Sequence, residues 1–211
     1  MAKSLERLIE VDRASDAAVH ADLRAAQALL GRDRARGLAA LEQLFRSGRP
    51  PDAPLQGRYR GELIALDIAP GFTQLASAVA GLWLPWRGKT FDPIRARGDN
   101  ILTRDSLILA RLYWPLYRHY VRDKADTYRA FAFRTEVGPG LLQPTVQVLK
   151  IDYDLPENPR LNIRRILDEL VQVSQDLYLG QALVHWWWGT WQRVGYFTLR
   201  PMEGQDGDEH S

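Results

Sequence analysis

The chain has 211 residues, of which 45% are hydrophobic and 10% aromatic. That composition excludes intrinsic disorder over most of its length and suits one domain with a helical extension. Lys and Arg total 28 against 26 Asp and Glu, a net +2, and Glu203, Asp206, Asp208 and Glu209 leave residues 1–200 at +6, too little to mark a nucleic-acid binder.

Cysteine is absent, which removes disulfides, thiol nucleophiles and Cys-ligated metals. The first ten residues carry Lys3, Glu6, Arg7 and Glu10 and hold no apolar run of signal-peptide length. The longest apolar stretch, residues 76–85, falls far short of the roughly 20 residues needed to cross a bilayer. The expectation is a cytoplasmic protein with no integral membrane association.

From Ser15 to Arg46 the apolar residues Val19, Leu23, Ala26 and Leu30, then Leu38, Leu41, Leu44 and Phe45, recur at helical spacing. Gly31 separates two predicted helices, and Asp33 stands ready to cap the second. The run Ser47-Gly48-Arg49-Pro50-Pro51 ends them. Residues 1–48 thus read as a helical extension, residues 55–200 as the main domain and residues 201–211 as a disordered acidic tail.

After Pro54 the pattern turns to strands: Gly57 to Ile68, Ala130 to Val137, Thr145 to Tyr153, Leu170 to Val173, Leu177 to His185 and Trp191 to Arg200. Short turns, among them Gly138-Pro139-Gly140, join several of them, so the fold class is mainly β: an antiparallel meander closing into a barrel, with short helices in its loops. Short helices are predicted over Gly71–Leu82 and Asn162–Leu170. Leu107 to Tyr120, rich in large residues and interrupted by Pro115, fits neither regular structure.

Several segments in order resemble the bacterial GxWxG-type domains, small lipocalin-like (calycin-like) β-barrels of largely unassigned function. They are Gly57-Arg58-Tyr59-Arg60-Gly61, with Tyr59 in the tryptophan position; Trp86-Arg87-Gly88-Lys89-Thr90-Phe91-Asp92; and Ile151-Asp152-Tyr153-Asp154-Leu155-Pro156 followed by Asp168, Leu179-Gly180 and Tyr196-Phe197-Thr198-Leu199-Arg200. The resemblance spans roughly residues 40–200 and implies a lipocalin-like barrel. It departs after the first strand, where Asp67-Ile68-Ala69-Pro70-Gly71 replaces the family's Thr-Gly-His run.

Function is less legible. The four histidines, His20, His119, His185 and His210, form no H-x-H or H-x-x-x-H pair, and no metal or cofactor is expected. Gly88-Lys89-Thr90 imitates the end of a P-loop, but Trp83 stands where its first glycine belongs. Trp186-Trp187-Trp188 cannot all face inward. They read as a hairpin tip covered by the N-terminal helices, a homodimer seam, or an aromatic rim touching a ligand or a membrane surface. Arg134 and Glu136 share a face with small alanines, which suits either a cavity wall or the solvent side of a strand. The leading expectation is a barrel that binds a small hydrophobic or amphipathic molecule, with Tyr59, Trp86, Arg134, Tyr153, Tyr178 and His185 as lining candidates. The alternatives are an isomerase, cyclase or lyase of the same shape, with Glu136, Asp152, Glu169 or His185 as acid or base, and an interaction module that uses its tryptophans.

Overall fold

The computed structural model describes residues 2–67, 86–124 and 126–202. The helix expected over Gly71–Leu82 and the acidic tail beyond Met202 lie outside them. Two helices open the chain, α1 (Ala2–Leu30) and α2 (Arg34–Ser47). Asp33 caps α2 as its spacing suggested, its carboxylate accepting from the Arg36 amide at 3.1 Å. The proline-rich linker is tied to the sheet where Arg49 and Gln172 exchange both backbone hydrogen bonds.

The strands are β1 (Gly57–Leu66), β2 (Trp86–Asp92), β3 (Arg97–Thr103), β4 (Val121–Lys124), β5 (Thr127–Pro139), β6 (Gln147–Asp152), β7 (Ile166–Ser174), β8 (Leu177–His185) and β9 (Trp191–Pro201). A third helix, α3 (Arg104–Tyr113), follows β3. The sheet order β3-β2-β1-β9-β8-β7-β6-β5 is wholly antiparallel, and pairing of β3 with β5 closes it into an eight-stranded barrel. Short β4 takes the other edge of β5 near its start. Between the β4 pairing, which ends at Arg129, and the β6 pairing, which starts at Arg134, Phe131 bends the strand at φ +53°, and its freed amide donates to the Tyr117 hydroxyl at 2.7 Å.

Alternation along the strands builds two cores. Tyr59, Phe133, Ile151, Leu170 and Phe197 pack in the lumen. On the outside, Leu23, Leu41 and Phe45 of the helices cover Val148, Val171, Leu179 and Tyr196. β7 and β8 are therefore buried on both faces, and this corrects one expectation. The apolar run Asn162–Leu170 forms a single 3₁₀ turn (Ile163–Arg165) before continuing as strand from Ile166. Residues apolar toward both lumen and helices lack the two-residue alternation that marks an ordinary strand. Leu107 to Tyr120 resolves into the end of α3, which stops before Pro115, and a loop whose Trp114 and Tyr117 rings pack on Phe131. Strands β2 and β3 had no counterpart in the sequence reading.

Phe45 is fully buried at the seam between helices and barrel, whereas Leu112 on α3 is exposed. Urea titration of Phe45→Ala is expected to show a loss of about 3–5 kcal/mol. Leu112→Ala should stay within about 0.5 kcal/mol of the parent.

Candidate functional site

Strands β2 and β7 lie four places apart in the ring of eight, so they face each other across the lumen. From β2, Lys89 points inward in step with Phe91; from β7, Asp168 points inward in step with Ile166 and Leu170. Their side chains meet at 2.9 Å, each only 3% exposed. The ammonium also donates to Asn100 Oδ1 on β3 at 2.9 Å and to the Tyr153 hydroxyl beyond β6. All three of its N–H groups are thus used.

Neighbouring polar groups complete a network. Trp86 Nε1 donates to Asn100 Oδ1 at 3.0 Å. The Tyr153 hydroxyl lies 3.1 Å from Asn100 Oδ1 and 3.2 Å from Asp168 Oδ2. Because Asn100 Oδ1 already accepts from Trp86 and Lys89, the single hydroxyl proton is better used by Asp168. Four rings, Trp86, Phe133, Tyr153 and Phe197, surround the ammonium with centroids 5.1–5.5 Å away. One atom is left out: Asp168 Oδ1 is buried and has no hydrogen-bond partner. Asp168 lines a cavity of about 30 Å³ together with Lys89, Trp86, Phe131, Ile163 and Phe197. That space holds a water or a small polar group, about a tenth of the ~300 Å³ at the lower end for drug-sized ligands.

Burial dominates the electrostatics. It pushes the Lys89 ammonium below its usual range, against the pull of Asp168. It pushes the Asp168 carboxyl above its usual range, against Lys89 and the Tyr153 hydrogen bond. Burial thus displaces both partners toward their neutral forms, against the attraction between them. The Tyr153 hydroxyl is held well above its usual value, chiefly by burial and then by the charge of Asp168.

Of the sequence-derived lining candidates, four face the lumen. Trp86 and Tyr153 belong to the cluster, while Tyr59 and Tyr178 pack edge to face nearer the other end, 5.7 Å apart. Arg134 does not line the interior. It is exposed on the outer wall, paired with Asp152 at 2.6 Å, because the bend at Phe131 turns Phe133 inward and its neighbour outward. His185 sits half-buried at a strand end, stacked on Trp191 at 4.8 Å. The proposed acids and bases are also outside: Glu136 is exposed, and Glu169 is buried beneath a loop, accepting from the Leu141 amide at 2.6 Å and from Gln181 at 2.8 Å.

Lys89 escaped the sequence reading because a lysine between Gly88 and Thr90 looks solvated. The parity it shares with Phe91 was the available signal. Among the described residues no three His, Asp or Glu side chains converge as a metal-binding group.

Removing one partner of the buried pair should cost far more than removing both. Lys89→Met is expected to lose about 3–5 kcal/mol, and Lys89→Met combined with Asp168→Leu to recover much of that loss in urea titrations. Six of the eight tyrosines, 59, 117, 120, 153, 178 and 196, are pushed upward by burial, Tyr120 and Tyr178 to about 12. The fold favours their neutral forms, so their contribution is intact below about pH 10 and is lost as pH rises through the folded values. Ultraviolet titration of the native protein should show no more than two tyrosinates before cooperative unfolding releases the rest.

No family model matches the chain, and neither a curated protein nor a solved structure resembles it at significance. The barrel itself is the closed antiparallel, lipocalin-like form that the sequence resemblance implied.

Proposed function

We propose that the barrel binds a small amphipathic molecule whose hydrogen-bond donor meets Asp168 Oδ1 while its apolar body lies against Trp86, Phe131, Ile163 and Phe197. The observation that carries this reading is the unpartnered buried oxygen of Asp168, a residue that lines a cavity shared by the polar groups Lys89, Asn100 and Tyr153 and by aromatic and aliphatic side chains. A buried acceptor without a partner costs roughly 1–3 kcal/mol, which a donor from a ligand would recover. The cavity of about 30 Å³ has room for the ligand's polar head alone, so the apolar body enters only as the lining rings give way, and a fatty acid or sterol does not fit. Membership of the GxWxG-type family, a bacterial source and a cytoplasmic location belong to the same proposal, supported by the motif order and the barrel form.

One observation favours a second reading. Lys89 and Asp168 are displaced toward neutrality in opposite senses, the arrangement an acid–base pair uses to move a proton on a bound substrate. In the isomerase or lyase reading Asp168 and Lys89 replace the acids and bases expected from the sequence.

Native mass spectrometry of the protein purified from cells, with calorimetric titration of indole, phenol and butylamine, tests the binding reading. A co-purified small mass or saturable binding of one probe is expected, weakened at least ~10-fold by Asp168→Asn and unchanged by Arg134→Ala. Tyr153→Phe, which leaves Asp168 Oδ1 in place, should still bind if Asp168→Asn fails to fold. Absence of any bound mass and of binding by all three probes overturns the proposal. Conversion of the bound molecule to a new mass that depends on Asp168 decides for the enzyme.

A further inference from the structure

Four connections leave the same end of the barrel, residues 67–85, 104–126, 153–165 and 186–190. Three of them expose large apolar side chains: Ile108, Leu112, Leu116, Leu161, Trp187 and Trp188. Leu116 and Leu161 are each 87% exposed and share one surface depression. Trp186 turns inward and stacks on Trp188, which leaves Trp187 at the tip. The N-terminal helices cover β7, β8 and β9 and leave these tryptophans exposed.

Cations are interspersed with these groups. The second and third connections carry eight Lys and Arg against five Asp and Glu. Arg104, Arg111, Arg118 and Arg160 have no carboxylate partner among the described residues. Arg104 also lines an open groove of about 940 Å³ on the outer wall with Arg58, Arg60 and Arg87. Single exposed leucines need no explanation, but six large apolar groups at one barrel end, with arginines that no described carboxylate pairs, do.

We propose that this end of the barrel docks on the surface of an anionic lipid bilayer. Leu112, Leu116, Leu161 and Trp187 enter the boundary between headgroups and acyl chains, and Arg104, Arg111, Arg118 and Arg160 meet lipid phosphates. Tryptophan suits that depth, since its ring is apolar and its N–H is polar. The apolar groups sit on three separate connections around a barrel end, not on one flat face. A fluid surface accommodates that relief, whereas a rigid protein partner would have to match it. Binding is peripheral, since the apolar groups lie on the connections at one end of the barrel and the helices cover the outer face of β7, β8 and β9. The inference is independent of what the lumen holds.

Sedimentation with phosphatidylcholine vesicles, with and without phosphatidylglycerol, tests it. Binding should require phosphatidylglycerol and weaken at high salt. The double variant Trp187→Ala, Leu112→Ser should bind at least ~10-fold less while keeping the parent circular dichroism, since both positions are exposed. Failure to pellet with anionic vesicles overturns the proposal, as does equal binding by the double variant. Full competition by inorganic phosphate would reduce the surface to an anion groove and also overturns it. A concentration-dependent dimer in sedimentation velocity, lost in the double variant and accompanied by no vesicle binding, assigns the surface to a second copy instead.

Discussion

A single ion pair strung across the lumen, Lys89 to Asp168, constrains everything around it. An eight-stranded barrel is just wide enough for side chains to fill, so groups from opposite strands can touch only if both point at the axis and both are long enough in sum. Two charges removed from water are costly, and their attraction repays that cost only when other groups satisfy the remaining donors and acceptors. Here Asn100, Tyr153 and four rings do so for the ammonium, while the carboxylate remains one bond short. The pair also fixes register. A one-residue slip of β2 or β7 would turn a charge toward the wrong side of the sheet, so mispaired barrels are selected against.

Room for that cluster comes from backbone without side chains. The Trp86 ring lies on Gly61, where an added Cβ would stand 2.2 Å from Trp86 Cη2. Gly88 holds φ at +142°, and a Cβ there would come within 1.8 Å of the Tyr59 carbonyl oxygen. The crossing of β1 and β2 is therefore tighter than an ordinary ladder. It carries Lys89 into the lumen at the residue after the twist and supports Trp86 from behind. In the glycine–aromatic–glycine segment of β1, the ring seated on Gly61 comes from the facing strand, not from Tyr59.

Much of the fold was legible because its signals are local. Asp33 before a helical repeat, glycine and proline at turns, and alternation in β1, β5, β6 and β9 each act within a few residues. What escaped reading depends on partners distant in the chain. The first half of β7 reads as helix because the helices cover the strand's outer face, and β2 and β3 hid because glycines and charged residues interrupt their alternation. The site was half legible for the same reason: Trp86 and Tyr153 follow from aromatic content and motif order, but Lys89 with Asp168 requires knowing that β2 and β7 stand opposite. Arg134 was misplaced because the bend at Phe131 resets the parity of β5 midway, and no residue in that strand announces a positive φ.

Trp86 joins the two surfaces that matter. Its ring lines the interior cavity beside Lys89 and also the outer groove that Arg58, Arg60, Arg87 and Arg104 surround. One hydrogen bond to Asn100 and the flat seat on Gly61 hold it between them. Inside, a neutral or donor group finds the carboxylate oxygen; outside, Arg60, Arg87 and Arg104, which have no carboxylate partner among the described residues, outnumber the Asp105 and Asp126 that share the groove. Trp86 thus stands at the boundary of two environments of opposite preference, the acceptor chemistry of the lumen and the cation-rich groove of the wall.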